Sequence, residues 1–188
     1  MTVRDVVAWC NSPSRSRVHG YYSSQIKCQP HFVNSEIADK PFPNLLLAED
    51  SQDDAFFFRR ALLKVYPNSL LTHVGNGAAA IEFLMEACSQ ITKSRIPDLV
   101  FLDLKMPVLS GFDVLRWIHD WEAASLLRVI VLSGSDHIGD KNRAMELGAQ
   151  DYLVKPIRPA ELKKQIDTLR GAEVVSSGGV FHETGPNS

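Results

Sequence analysis

This chain has few cysteines, no excess of basic residues and no long apolar runs. Its three cysteines, Cys10, Cys28 and Cys88, are too scattered for a disulfide framework or for zinc-ligand spacing. We therefore expect a reducing, cytoplasmic location. A formal net charge of -2 argues against a surface that binds nucleic acid. Because no apolar run approaches the roughly 18 residues of a membrane-spanning helix, we expect no membrane partner either.

The remaining composition is that of an ordinary globular protein, with 45% hydrophobic and 22% charged residues in 188. Residues 1–41 show neither a period of 2 nor one of 3.6, so we predict a disordered extension there rather than a targeting segment. Residues 42–171 are long enough to bury a full core as one domain. The Gly/Ser-rich residues 172–188 are expected to form a disordered tail.

Short apolar runs alternate with helical patterns through the predicted domain. The strand candidates are LLLA at 45–48, SLLTHV at 69–74, DLVFLD at 98–103, LLRVIVLSGS at 126–135 and DYLVKPI at 151–157. The helix candidates are AFFFRRALLKVY at 55–66, NGAAAIEFLMEACSQ at 76–90, GFDVLRWIHDWE at 111–122, DHIGDKNRAMEL at 136–147 and PAELKKQIDTLR at 159–170. This alternation predicts an α/β protein with a parallel sheet covered on both faces.

The first helix carries three consecutive phenylalanines, and only part of this run fits a buried stripe. Helical spacing predicts that Phe57 and Phe58 face the core and that Phe56 lies outside it. Asp53 and Asp54 stand in the first turn, where acids suit the positive end of the helix dipole. We therefore interpret both acids as capping residues rather than catalytic ones.

Polar residues follow four of the five predicted strands. Glu49 and Asp50 follow the first strand, Asp103 ends the third, Ser133 ends the fourth and Lys155 ends the fifth. In an open parallel sheet, ligands bind outside the carboxyl ends of the strands. The sequence therefore predicts that three carboxylates, a hydroxyl and an amine converge at one edge of the sheet.

Three converging carboxylates repel one another unless a cation lies among them. Oxygen ligands without histidine or cysteine suit a hard ion, Mg²⁺ or alternatively Mn²⁺. Lys155 and Ser133 could then bind a phosphoryl group formed on Asp103, with its carboxylate as the nucleophile. The alternative is a structural ion-pair cluster around Lys155, but such a cluster leaves at least one acid uncompensated.

At this point the sequence resembles the receiver domain of two-component response regulators over about residues 43–170. The matching motifs are LLLAEDS, LVFLDLKMPVLSGFDVL, VIVLSGS and AMELGAQDYLVKPI. The resemblance implies a doubly wound, five-stranded parallel sheet with the flavodoxin-like order 2-1-3-4-5. The long SQITKSRIP connection and the Glu-Asp pair are similar to stand-alone, single-domain regulators, including those associated with phytochrome-type kinases.

The resemblance also implies a role for each site residue. Asp103 would accept a phosphoryl group from a sensor histidine kinase or a histidine phosphotransfer protein. Asp50, Asp103 and the backbone carbonyl of Lys105 would bind Mg²⁺, with Glu49 acting largely through water. The chain would assist its own phosphorylation and dephosphorylation without being an enzyme that acts on other molecules.

A second group of residues would bind or respond to the phosphoryl group. Ser133 would move to bond the phosphoryl oxygen, the side chain of Tyr152 would follow it, and Lys155 would pair with the phosphoryl group. The resemblance further implies a cis bond between Lys155 and Pro156. The output surface would comprise the fourth helix, the fifth strand and the fifth helix, and would bind a second copy of the chain or another protein.

Three other functions can be weighed against this interpretation. A haloacid-dehalogenase-type phosphatase needs a second acid two residues after Asp103, where this chain has Lys105. A flavodoxin-like flavin binder needs a phosphate-binding loop after the first strand, where the acids of EDSQDD would repel a phosphate. A degenerate receiver that only binds partners is disfavoured because all five site positions hold competent residue types.

Overall fold

The computed structural model describes residues 43–89, 96–121 and 127–176, with the backbone alone at residues 88, 89 and 169–176. Five strands form one sheet: β1 Asn44–Ala48, β2 Leu70–Val74, β3 Leu99–Asp103, β4 Val129–Ser133 and β5 Asp151–Val154. The helices that follow them are α1 Gln52–Val65, α2 Gly77–Ser89, α3 Gly111–Asp120, α4 Ile138–Glu146 and α5 Pro159–Ser176.

The sheet is parallel throughout, with the order β2-β1-β3-β4-β5. The predicted α/β fold and strand order are therefore confirmed. Strands β3 and β4 lie inside the sheet and are buried along their whole length. The chain therefore uses continuous apolar runs for these strands rather than alternating ones, because both of their faces are covered.

Side chains of β3 alternate between two hydrophobic clusters, one on each face of the sheet. Leu99 and Phe101 join the cluster under α1 and α5. Val100 and Leu102 join the cluster under α2, α3 and α4. The ring of Phe101 meets that of Phe58 from α1 edge to face, with 4.8 Å between centroids. Both faces of β3 therefore tie Asp103 to the core.

Local signals fix the helix ends. The Ser51 side chain accepts a hydrogen bond from the backbone N–H of Asp54 at the start of α1. Ser110 and Asp113 form a reciprocal capping box at the start of α3. Gly148 follows α4 with φ of +93°, the left-handed conformation that glycine adopts without strain.

Two details of the sequence interpretation differ from the structure. The Phe57 side chain is 57% exposed, so its assignment to the core stripe was wrong, whereas Phe58 is buried and Phe56 is 61% exposed, as expected. Helix α5 continues to Ser176, five residues beyond the predicted domain end at 171. The predicted extension at residues 1–41, including Cys10 and Cys28, and residues 177–188 of the predicted tail lie outside the described residues.

Among the described residues, no helix combines the length and the apolar character needed to cross a membrane.

Candidate functional site

The carboxyl ends of β1, β3, β4 and β5 bring the predicted site residues to one edge of the sheet. Glu49 directly follows β1, and Asp103 and Ser133 are the last residues of β3 and β4. Lys155 directly follows β5, and its backbone N–H donates to the carbonyl of Ser133 at 2.7 Å. The predicted convergence therefore follows from parallel strands of nearly equal length, whose ends meet at the same edge.

Three carboxylates form an acidic cluster at this edge. One oxygen from each of Glu49, Asp50 and Asp103 lies within 4.8 Å of the other two. Glu49 and Asp103 are buried, whereas Asp50 is exposed at the open side. This donor set suits a hard divalent cation such as Mg²⁺ or Mn²⁺, which prefers carboxylate oxygens and retains water on its open side.

The ammonium group of Lys155 contacts three carboxylates. Its Nζ lies 3.0 Å from Asp103 Oδ1 and 3.0 Å from Asp54 Oδ2, and it also pairs with Glu49 Oε2. Burial alone would lower the pKa of Lys155, but the hydrogen bonds to Glu49, Asp54 and Asp103 outweigh it and raise the pKa. Lys155 is therefore a fixed positive charge between the two buried acids.

Glu49 is the most deeply buried acid of the cluster, with 1% of its surface exposed. Burial raises its pKa above the ordinary value of 4.5, although the hydrogen bond and charge of Lys155 oppose this shift. The nearby charge of Asp103 raises the pKa further. The buried carboxylate of Glu49 therefore binds a proton more readily than an exposed glutamate does.

The turn after β3 approaches the phosphoacceptor candidate closely. The backbone N–H of Lys105 donates to Asp103 Oδ2 at 2.9 Å. This contact places the Lys105 peptide beside the carboxylate, while the metal-binding role of its carbonyl stays a prediction. A Cβ atom at Gly111 would lie 2.2 Å from the carbonyl oxygen of Asp103, so glycine alone fits there. Val108, in the same turn, has φ of +69°, which L-residues rarely adopt.

Ser133 and Tyr152 are joined through Ser135. Ser133 is buried, and its Oγ accepts a hydrogen bond from the backbone N–H of Ser135 at 3.2 Å. The buried Tyr152 donates its hydroxyl to the carbonyl of Ser135 at 2.8 Å. The two predicted switch residues therefore hold the same segment between β4 and α4. The Lys155–Pro156 bond is cis, as expected.

Sequence reasoning missed two contacts at the site. Asp54 was interpreted as a capping residue, but its carboxylate pairs with Lys155, and the cap is the side chain of Ser51. His73, expected as a core or edge residue, is exposed on β2 and bonds the carbonyl of Glu49 through Nε2 at 2.8 Å. The available signal was position alone: Asp54 lies in the first turn of α1, which follows β1, and His73 pairs in register with Leu47 near the end of that strand.

The site can position an anion beside a carboxylate. It has a buried aspartate at the end of a central strand, a lysine ammonium beside it, a nearby serine hydroxyl and acids suited to a divalent cation. These parts match the needs of phosphoryl transfer, in which positive charge and oriented donors stabilise the transferring group. The fold and the site thus define the class of flavodoxin-like phosphoacceptor domains.

Comparison with known proteins identifies the family. The sequence model described as the response regulator receiver domain matches residues 46–167, about two thirds of the chain, and the chain belongs to this family. The two-component response regulator ARR5 of Arabidopsis thaliana is 27% identical over 153 residues, covering 79% of this chain and 82% of ARR5. Receiver domains of this family are signalling phosphoacceptors that act with histidine kinases or phosphotransfer proteins.

Other relatives are longer proteins. The transcriptional regulatory protein GltR of Pseudomonas aeruginosa is 29% identical over 160 residues, which are 76% of this chain and 62% of GltR. The 3',5'-cyclic-nucleotide phosphodiesterase regA of Dictyostelium discoideum is 32% identical over 139 residues, which are 72% of this chain and only 16% of regA. The chain thus spans less than two thirds of both proteins.

Solved structures of receiver domains share the fold. The bacteriophytochrome response regulator AtBRR is 25% identical with a TM-score of 0.58, covering 77% of this chain and all of AtBRR. The Mn²⁺-bound form of response regulator Rcp1 is 28% identical with a TM-score of 0.53, covering 74% and 97%. The receiver domain of sensor histidine kinase PA1611 from Pseudomonas aeruginosa, with magnesium in its active-site cleft, is 25% identical with a TM-score of 0.56, covering 69% and 98%.

Proposed function

We propose that this chain acts as a cytoplasmic response regulator receiver that accepts a phosphoryl group on Asp103 in a Mg²⁺-dependent reaction. A sensor histidine kinase or a histidine phosphotransfer protein would be the donor. The single observation that carries this proposal is the contact of the Lys155 ammonium with the buried Asp103, 3.0 Å from Oδ1, beside the acidic cluster. The receiver domain would comprise residues 42–171, somewhat more than the family match at 46–167, with the last residues of α5 extending beyond it to Ser176.

Glu49, Asp50 and Asp103 would hold the Mg²⁺, together with the carbonyl of Lys105. When bound, the ion would supply positive charge that offsets the carboxylates and the phosphoryl oxygens. The carboxylate of Asp103 attacks phosphorus, and Lys155 donates a hydrogen bond to the phosphoryl group that forms. Burial of Asp103 supports this role, because excluded water strengthens each charge interaction within the site.

Phosphorylation would then change the surface through Ser133 and Tyr152. If the hydroxyl of Ser133 moves to bond the phosphoryl group, it would give up the hydrogen bond that it accepts from the backbone N–H of Ser135. Tyr152 bonds the carbonyl of the same Ser135, so its side chain would respond to this movement. Reversing a 1:99 equilibrium needs about 5.5 kcal/mol, which a few charge-assisted hydrogen bonds of about 1.5–3 kcal/mol each could supply.

The output surface would lie on α4, β5 and α5. It exposes the apolar side chains of Ile138, Met145 and Val154, which supports binding of a partner there, either a second copy or another protein. Phe56, 61% exposed on α1, would contribute to docking of the phosphoryl donor. No membrane or nucleic-acid partner is part of this proposal.

The test is treatment with acetyl phosphate and Mg²⁺, followed by intact-mass spectrometry and a check that the added phosphate is acid-labile. Wild type should gain one phosphoryl group, Asp103→Asn none, and the metal-chelated wild type far less. Asp53→Asn is the matched control, because it removes an exposed acid from the same side of the sheet. Equal phosphorylation of wild type and Asp103→Asn would refute the assignment.

A further inference from the structure

Asp54 is the carboxylate at the site that neither the metal cluster nor the phosphoacceptor role uses. Its side chain is 44% exposed, and its Oδ2 lies 3.0 Å from the Nζ of Lys155. Its backbone N–H donates to the side chain of Ser51, which is the N-cap of α1. The contact joins residues 101 positions apart, from the first turn of α1 to the end of β5.

An ammonium group has three N–H donors, and three carboxylates contact that of Lys155. Glu49 and Asp103 are buried partners on the inner side, and Asp54 is the exposed partner on the outer side. A phosphoryl group that forms on Asp103 therefore has to share Lys155 with Asp54. A donor that reaches Asp103 also comes close to the negative charge of Asp54, because both carboxylates lie 3.0 Å from the same ammonium group.

From these contacts, and resting on the proposed function, we infer that Asp54 is a specificity-determining residue that disfavours strongly anionic phosphodonors. The charge of Asp54 repels a dianionic donor about twice as strongly as a monoanionic one, because Coulomb energy is proportional to the charge of the donor. Its hydrogen bond also engages the one ammonium group that would receive the incoming phosphoryl oxygens. Asp54 acts through Lys155 and does not touch the reacting atoms.

The transfer step itself requires no additional reactant. With acetyl phosphate, a carboxylate oxygen of Asp103 bonds to phosphorus, the bond from phosphorus to the acetyl oxygen breaks, and acetate leaves with the electron pair. With phosphoramidate, the bond from phosphorus to nitrogen breaks, and ammonia leaves from the already protonated nitrogen. The two donors differ in charge near neutral pH, since acetyl phosphate is a dianion and phosphoramidate a monoanion.

The experiment compares initial rates of phosphorylation of the full chain by these two donors, with Mg²⁺ saturating. At low ionic strength, we expect Asp54→Asn to raise the rate of phosphorylation by acetyl phosphate about fivefold and the rate with phosphoramidate about twofold. Both increases should become smaller as salt is added. Asp54→Glu restores the charge and should return both rates toward those of wild type. A purely structural role for Asp54 would change both donors equally and would not respond to salt.

Asp53→Asn is the matched control. Asp53 precedes Asp54 in the same helical turn and is exposed, and within the described ranges it makes no ion pair. If Asp53→Asn raises the rate of phosphorylation by acetyl phosphate as much as Asp54→Asn does, general charge rather than the contact with Lys155 is responsible, and the inference is overturned. The inference is also overturned if Asp54→Asn matches wild type with both donors. If wild type takes up no phosphate from either donor, the proposed function fails and the inference falls with it.

Discussion

Replacing Lys155 by methionine removes the ammonium group and keeps most of the apolar stem. Glu49 and Asp103, with 1% and 4% of their surfaces exposed, would then be buried without that partner. Removing one partner of a buried ion pair typically costs about 3–5 kcal/mol. We therefore expect metal-free Lys155→Met to lose about 3 kcal/mol of unfolding free energy at neutral pH.

Protonation limits the part of this loss that comes from Glu49. Holding one carboxyl with an ordinary pKa of 4.5 neutral at pH 7 costs about 3.4 kcal/mol, at about 1.36 kcal/mol per pH unit. Beyond that cost, Glu49 takes up a proton instead of remaining an unpaired charge. This cost of about 3.4 kcal/mol for one carboxyl lies within the range of about 3–5 kcal/mol for a broken buried ion pair.

The pH dependence of this loss has a definite sign. Burial already raises the pKa of Glu49, and removing Lys155 removes the two largest of the interactions that oppose that shift. The folded variant then binds more protons than its unfolded chain does, so its stability falls as pH rises through the raised pKa. The difference from wild type should therefore be smallest near pH 4.5 and grow toward neutral pH.

Urea denaturation of the metal-chelated protein, followed by circular dichroism across this pH range, measures the effect. Lys105→Met is the control, since Lys105 is an exposed lysine two residues from Asp103 and should change stability by no more than about 0.5 kcal/mol. Adding Mg²⁺ should restore part of the stability of Lys155→Met, because a cation that binds only the folded state stabilises it by mass action. A loss at neutral pH no larger than that of Lys105→Met would refute the reasoning.

Three further substitutions, two of them paired with a control variant, test the core and the turn after β3 by urea denaturation. Phe101→Ala should lose about 3–5 kcal/mol, because the ring is fully buried, whereas Phe57→Ala, at an exposed ring, should lose less than about 1 kcal/mol. Gly111→Ala should lose about 1–3 kcal/mol of unfolding free energy and weaken Mg²⁺ binding measured by calorimetry, because the new methyl group displaces the end of β3. Gly75→Ala is its control, because Gly75 has open space around it and its substitution should leave Mg²⁺ binding unchanged. Val108→Gly should gain up to about 1 kcal/mol by relieving the left-handed backbone, and a loss there would show that the exposed valine makes a stabilising contact.

The sequence predicted the site where chain position alone determines it. Apolar runs mark the strands, and parallel strands place their carboxyl ends together, so Glu49, Asp103 and Lys155 could be brought together without coordinates. The partner of Asp54 could not be predicted, because the contact depends on how α1 lies against the end of β5. The exposure of Phe57 was missed for a related reason: adjacent residues differ by about 100° around a helix, and the width of the buried stripe depends on the packing of α5.

The strand order has a consequence for synthesis of the chain. Strand β1 is made first, but it is covered on its two edges by β2 and β3, and β3 emerges about fifty residues later. Until residues 99–103 leave the ribosome, the wholly buried Leu45–Ala48 run has one edge unpaired and open to other nascent chains. Strand β3, which covers this edge of β1, is also the strand that carries Asp103. A chain that ends before β3 would therefore lack the proposed phosphoacceptor Asp103 and be prone to aggregate.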